Sequence, residues 1–319
     1  MDLTRLWRKR TKLVLAVEWS GFALRIVVLE KHSNGYSLLL ADSTELQATC
    51  VDYHGQVVNY VQFAETLILL LKRNCVKNRH AAFILEHGKV IVKLVQYDRR
   101  FNDQQIRDAL FLDLEKHVSS RVEDTCFDYQ PLQQRAKSAQ QDVLLVAAHR
   151  NKVRQYEKIA KVCHLVPEVL DVDSYVLQRF LCQLYPTEFR ENTCVAFVGL
   201  NTYSYSVYFL NQQETYFSEQ KNLLGSLSND VYLTTLMPWL VRNIQMFEVG
   251  YSRLTLCKVL LYGEKAAIED LQLRLAQQIG KTLEVVNPFQ YLINGEQKTT
   301  DNPSSYLLAV GLATREVVT

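Results

Sequence analysis

Two stretches of this chain begin alike. Leu13 to Lys31 reads LVLAVEWSGFALRIVVLEK, and Val195 to Leu210 reads VAFVGLNTYSYSVYFL. Each is a β-rich run, a turn of small residues, and a second β-rich run, which predicts a hairpin. The expected turns are Glu18-Trp19-Ser20-Gly21 in the first and Gly199-Leu200-Asn201-Thr202 in the second. Further β pattern and then helix follow each hairpin. Such duplication predicts two related α/β halves facing each other across a cleft, with the turns placed where some folds hold a nucleotide phosphate.

Between the repeats, VNYVQFAETLILLLKRN has the i, i+3, i+4 spacing of an amphipathic helix, and HAAFILE reads as a strand. KVIVKLVQY is a strand and NDQQIRDALFLDLEKHV a helix, with Asn102 or Asp103 as its N-cap. TCFDYQPLQ and QDVLLVAAHR are strands flanking the polar loop QQRAKSAQQ, and NKVRQYEKIAKVCHL is a helix. These predict a β-α-β-β-α subdomain inserted in the first half at about residues 90–166. PEVLDV then leads by strand into the helix DSYVLQRFLCQLY.

In the second half, NDVYLTTLMPWLVRNIQMFEV predicts a long helix that Pro238 starts or kinks. LCKVLLYG is a buried strand, and KAAIEDLQLRLAQQIG a helix closed by Gly280. LEVVNPFQYL is a strand and turn, and SSYLLAVGLAT a final helix. With 319 residues, about two domains are expected at roughly 100 to 200 residues each. The expected organisation is a basic tail over 1–12, a first lobe over 13–180 carrying the insert, and a second lobe over 181–319. The closing helix, 304–316, is expected to pack back on the first lobe.

Charge and cysteine usage exclude several classes. Thirty-six Lys and Arg against 34 Asp and Glu leave a net charge of +2, no footprint for nucleic acid. No run of about 18 apolar residues occurs, and MDLTRLWRKRTK has no apolar core for a secretory signal, so a cytoplasmic protein is expected. The seven cysteines are scattered without a C-x-x-C pair, which predicts reduced thiols, mostly small buried hydrophobes, and no zinc site. The basic residues Arg5, Arg8, Lys9, Arg10 and Lys12 around Trp7 read as a solvated tail or as a weak hold on anionic lipid, at about 1 kcal/mol per basic residue.

The order of elements resembles the actin-like ATPase architecture, two RNase H-like lobes around a cleft, and more narrowly the PilM family of type IV pilus assembly, related to the cytoplasmic part of GspL. The most specific segment is DVLLVAAHRNKVRQYEKIAKVCHLVPEVLDVDSYVLQRF, Asp142 to Phe180, similar to the family's run into D-V-[DE]-S-[YF]-A-L. IRDALFLDLEKHVSSRVEDTCFDYQ is similar to its E-x-E-K-[YH] helix and D-[FY]-Q. VLLYGEKAAIEDLQLRLAQQIGKTLEVVNPF is similar to its strand, glycine turn, helix and V-x-N-P-F, and YLLAVGLATR to its closing A-x-G-L-A-x-R.

The resemblance implies backbone amides from both turns on the phosphates of ATP, with an Asp near each turn holding Mg²⁺. Against the family's G-[IV]-D-[IL]-G-[ST]-S-[ST]-[VI]-K, this chain has Ala16 to Arg25: Glu18 keeps a carboxylate, Ser20 and Gly21 shift the glycine by one, Phe22 replaces a small hydroxyl residue, and Arg25 replaces Lys. Against V-D-[IV]-G-[AH]-x-x-[TS], Gly199 stands for the Asp and Asn201 for the Gly, beside Thr202. Asn tolerates the left-handed region, so the hairpin is expected to keep its geometry without the metal-binding charge. Against L-x-G-G, Gly263 remains and Glu264 replaces its neighbour, with Tyr262 and Glu264 standing where a ring and ribose need room. A degenerate nucleotide pocket, with no catalytic or metal residue and no ATP or Mg²⁺ as working cofactor, is the expectation.

Other motifs reduce to structure. QQIGKT ends like a phosphate loop, but Leu275 stands where its first Gly belongs. Cys163-His164 reads as a helix terminus, Asp173-Ser174 as an N-cap, and the seven His lack metal-ligand spacing. The family resemblance together with these altered motifs leads to the expectation of a non-catalytic, or barely catalytic, scaffold at the cytoplasmic face of the inner membrane, among other pilus platform proteins. Its groove between the first lobe and the insert would take the N-terminal peptide of a PilN-like membrane protein, with IRDALFLDLEKHV and VKLVQY as the elements to examine. The alternatives are an active ATP-binding ATPase drawing ligands from positions such as Glu18, or a GspL-like component of type II secretion.

Overall fold

The computed structural model describes residues 11–118, 120–132, 139–185, 192–268, 271–297, 300–315 and 317–318. After Thr11–Lys12 (β1), the first repeat forms Leu15–Ser20 (β2) and Ala23–His32 (β3). Its antiparallel ladder pairs Leu15 with Val28, Glu18 with Arg25 and Ser20 with Ala23. Residues Leu15 to Glu18 and Leu24 to Leu29 are buried on both faces, which is why these strands read as near-continuous apolar runs. The sheet continues with Gly35–Glu45 (β4), His80–Leu85 (β5) after the helix Tyr60–Arg73 (α1), and, following the insert, Val166–Val172 (β9). Its order is β4-β3-β2-β5-β9. Asn59 caps α1 by accepting from the Val61 and Gln62 amides, and Phe63, Leu67 and Leu71 form its buried face.

The second repeat builds the same arrangement. Thr193–Asn201 (β10), Ser204–Leu210 (β11) and Thr215–Asn222 (β12) form an antiparallel meander, to which Thr255–Tyr262 (β13) and Leu283–Val285 (β14) add in parallel. Helices Asn229–Gly250 (α5) and Leu271–Ile279 (α6) cover its outer face, burying Tyr232, Leu236, Leu240, Phe247, Leu271 and Leu275. Between the two sheets lie Asp173–Gln183 (α4) and Leu307–Ala313 (α7), in one core that joins Ala16, Val27, Phe180, Phe197, Leu260 and Val310. The Phe180 and Phe197 rings sit 6.4 Å apart across it. α7 rests on β2, β3 and α4, and Val317–Val318 (β15) pairs with β1.

The insert forms a compact unit of its own, Leu85–Lys158. Val90–Asp98 (β6), Thr125–Pro131 (β7) and Gln140–His149 (β8) make a sheet in the order β6-β8-β7. Asp103–His117 (α2) lays Ile106, Leu110 and Leu114 on Val95, Val143 and Leu145. Asn102 is the N-cap of α2, in a reciprocal capping box with Gln105. Arg150–Val162 (α3) leads out of the unit.

The structure corrects several expectations. Both turns lie further along than their small residues suggest: the loops are Gly21-Phe22 and Thr202-Tyr203, because the ladders hold Glu18, Trp19 and Ser20 in β2 and Gly199, Leu200 and Asn201 in β10. Gly21 takes φ +53° at the first central position, the place where a two-residue hairpin favours glycine. Asn201, held by that ladder, has no left-handed φ. Pro238 starts nothing, since α5 already runs from Asn229 and exposes Pro238 mid-helix, where its missing N–H leaves only a solvent-facing gap. Asp173 is the first helical residue of α4 and Val172 the cap. Of the cysteines, Cys50, Cys163 and Cys194 are buried, but Cys75, Cys182 and Cys257 are exposed, and all seven are free thiols.

Candidate cleft site

Both hairpin loops and the loop after β13 converge on one buried ion network. Arg25, on β3, is 3% exposed, and Glu18, directly opposite on β2, 5%. Arg25 Nη1 donates to Glu18 Oε2 at 2.9 Å and to Ser20 Oγ at 3.1 Å. Its Nη2 donates to Glu264 Oε1 at 2.8 Å, crossing from the first lobe to the second. The other oxygen of Glu264 accepts from the Thr202 hydroxyl at 2.6 Å and the Thr202 amide at 3.2 Å. Burial pushes the Glu18 carboxyl above its ordinary value, against the pull of Arg25. Burial also works against the Arg25 charge, but Glu18 and Glu264 together hold its affinity for the proton above the usual guanidinium value.

Backbone geometry fixes this arrangement. Gly263 ends β13 at φ +104°, and a Cβ there would lie 2.6 Å from the Leu200 carbonyl oxygen and 2.7 Å from Asn201 Oδ1. Only glycine fits that approach. The next residue, Glu264, is thereby aimed into the cleft, its carbonyl accepting from Asn302 Nδ2 at 2.6 Å. Tyr232 donates to the Asn201 carbonyl at 3.1 Å. At Gly199 a Cβ would meet Ser206 Oγ at 2.5 Å and the Tyr262 hydroxyl at 2.7 Å. At Gly21 it would meet the Tyr203 ring at 2.8 Å.

Side chains also close the mouth. The Phe22 ring lies 5.2 Å from Tyr203 and 6.4 Å from Tyr53, and Tyr53 lies 5.9 Å from Tyr203. A cavity of about 480 Å³ remains beside the network, lined by Ser43, Thr44, Tyr203, Asn302 and Tyr306 among others. Three carboxylates, Glu45, Glu264 and Asp301, face it against the single guanidinium of Arg25.

A magnesium-bound triphosphate does not fit these residues. Arg25 and Glu264 fill the space between the loops, the tyrosine at 262 occupies the volume an acidic side chain at 199 would need, and the remaining cavity is lined with an excess of negative charge. Mg²⁺ with a polyphosphate takes one or two carboxylates; the one on the first hairpin, Glu18, is already paired with Arg25, and Glu45, Glu264 and Asp301 are spread over the cavity wall. Among the described residues no group of three or more His, Cys, Asp or Glu is placed to hold a metal.

Of the residues singled out by sequence, the structure brings Glu18, Ser20, Arg25 and Thr202 into the network, while Gly21, Gly199, Asn201 and Gly263 shape the backbone around it. Glu264 reads in the sequence as an obstruction, and the structure makes it a partner of Arg25 and Thr202; its one sequence signal is an acidic residue directly after the glycine that follows a buried strand. Elsewhere, Asp171 pairs with Arg179 at 2.6 Å. Asp173 accepts from the Ser174 amide at 2.6 Å and the Tyr208 hydroxyl at 2.7 Å. Cys163 and His164 close α3, His164 at φ +57°. Arg5, Trp7, Arg8, Lys9 and Arg10 lie outside the described residues, and of Lys12 only the backbone is described. No helix among the described residues is long and apolar enough to cross a membrane.

The sequence matches the family described as type IV pilus assembly protein PilM over residues 16–234 and 230–317. Among solved structures the chain is similar to one in a PilM-PilN type IV pilus biogenesis complex, at 18% identity and a TM-score of 0.73, over 94% of this chain and 97% of that one. Weaker similarity links it to the ethanolamine utilization protein EutJ of Carboxydothermus hydrogenoformans (9% identity, TM-score 0.48, 95% and 89% of the two chains). A Bacteroides thetaiotaomicron protein with an actin-like ATPase fold is comparably distant (10%, 0.45, 89% and 94%). The fold is the actin-like ATPase fold, with both lobes built on the same strand order.

Proposed function

The chain belongs to the family of the type IV pilus assembly protein PilM, and from that premise we propose that it works as a cytoplasmic scaffold of the pilus assembly platform and not as an efficient ATPase. The observation that carries the reading is the Arg25–Glu264 ion pair, which puts the chain's own side chains between the loops that would otherwise hold phosphates. A scaffold acts by binding. The partner we infer is the cytoplasmic N-terminal peptide of a PilN-like inner-membrane protein, a reading supported by the similarity to a chain from a PilM-PilN complex.

The insert is the proposed docking element. Among the described residues β6 and β7 are the edge strands of its sheet, where an extended peptide can add. On β6, Leu94 is 58% exposed, a large apolar side chain on the sheet face away from α2 for a partner to cover. Binding there would hold the protein peripherally at the membrane, helped by the basic N-terminal residues.

Two titrations test this. A fluorescent ATP analogue with Mg²⁺ should show no saturable binding; micromolar affinity abolished by Glu18→Ala would overturn the scaffold reading. A PilN-like N-terminal peptide should bind saturably, and Leu94→Glu should abolish that binding while Arg25→Met leaves it intact.

A further inference from the structure

Glu264 is held as a bound ligand is held. Its two carboxylate oxygens meet donors from opposite lobes: Arg25 Nη2 on Oε1 at 2.8 Å, and the amide and hydroxyl of Thr202 on Oε2 at 3.2 and 2.6 Å. A guanidinium, a loop amide and a hydroxyl converging on one point form an oxyanion receptor. The receptor is rigid, because Arg25 is nine-tenths buried and fixed by Glu18 and Ser20. Its occupant arrives from a backbone position that only glycine permits, Gly263 at φ +104°.

We propose that the cleft retains a built oxyanion site and that the carboxylate of Glu264 is its permanent occupant, so that the two lobes are joined by a ligand the chain supplies itself. The external ligand class that satisfies the same donors is a small phosphate-type oxyanion, whose oxygens can accept from Arg25 and Thr202 at once; removing the Glu264 charge lowers the repulsion that the cavity acids exert, and the remaining Glu45 and Asp301 keep the binding weak. Glu264 is 22% exposed and borders the open cavity, so such an ion reaches the donors once the carboxylate is removed. The inference rests on the reading that the cleft takes no nucleotide, and adds what takes its place.

The test is thermal unfolding of the full chain with increasing inorganic phosphate, against chloride at matched ionic strength. Glu264→Ala should unfold below the wild type in chloride and regain much of that loss in phosphate. The wild type should show no phosphate-specific shift, because its site is filled. Phosphate should bind Glu264→Ala at least about tenfold more tightly than the wild type, the ratio set by one charge-assisted hydrogen bond at the low end of its range. Adding Thr202→Val or Arg25→Met to Glu264→Ala should abolish the recovery. If Glu264→Ala does not fold, Glu264→Ser serves, since its side chain is too short to reach Arg25, and should likewise gain a phosphate response that the wild type lacks. Equal recovery in chloride, or the same phosphate shift in wild type and variant, overturns the proposal. Failure here with no ATP binding by the wild type leaves the scaffold reading standing; tight Mg²⁺-ATP binding by the wild type sinks that reading instead.

Discussion

Replacing Arg25 by methionine keeps most of the buried volume of the side chain and removes its charge. Glu18, 5% exposed and paired at 2.9 Å, is then a buried carboxylate with no counterion. Removing one partner of a buried ion pair costs about 3–5 kcal/mol, since the survivor keeps its desolvation penalty and loses its compensation. Glu264 adds little to the loss, because it is part exposed and keeps its hydrogen bonds to Thr202. The assay is urea unfolding followed by tryptophan fluorescence, with Trp19 reporting on the first lobe and Trp239 on the second.

Glu18→Gln combined with Arg25→Met removes both charges, so the double variant should be more stable than Arg25→Met alone, with a coupling energy of about 0.5–3 kcal/mol. The pH dependence has a definite sign. In Arg25→Met, burial holds the Glu18 carboxyl well above its unfolded value, so the folded state binds its proton more tightly than the unfolded chain. The deficit should therefore be largest near pH 8 and shrink as the pH falls through the folded value. A deficit under about 1 kcal/mol at pH 7, or a double variant no more stable than Arg25→Met, would refute the claim that this pair is what the cleft is built around.

Three further outcomes are expected. Gly311→Ala should destabilise the protein even though alanine is the better helix former by about 1 kcal/mol, because the new Cβ would lie 2.9 Å from Val176 Cγ1 and 3.0 Å from the Val176 carbonyl oxygen; chemical denaturation gives the sign. Alkylation of the native protein at pH 8, read by mass spectrometry, should label exposed Cys75 and spare Cys163 and Cys194, whose thiols burial pushes up to about 12; labelling of either at the rate of Cys75 would contradict their burial. Asn102→Ala should cost about 0.5–2 kcal/mol by opening the capping box, seen as faster amide exchange confined to α2, with the lobes unchanged.

What the chain declares locally, it declares well. The paired hairpins, the amphipathic spacing of α1, an N-cap at Asn102 or Asp103 and the stop at Gly280 all depend on residues within one or two turns of each other, so period and punctuation suffice to find them. Turn positions were less legible. Ser20 and Asn201 look like loop residues, and cross-strand pairing with Ala23 and Ser204 keeps them in strands, a choice made by the neighbouring strand and not by the residue itself.

The cleft was decided further away still. From the sequence, through the family resemblance, came the expectation that Gly199 stands where an acid would hold a metal and that Phe22, Tyr262 and Glu264 obstruct the pocket. The sequence had no means of showing that Glu264 reaches Arg25, a residue 239 positions earlier, or that Tyr203 lies over Gly21 and Tyr262 over Gly199. Those contacts exist because two sheets of the same strand order bring their hairpin loops together across α4 and α7. Only that packing turns three loops into one connected network, since a side chain's partner is set by where the backbone arrives in space and not by its place along the chain.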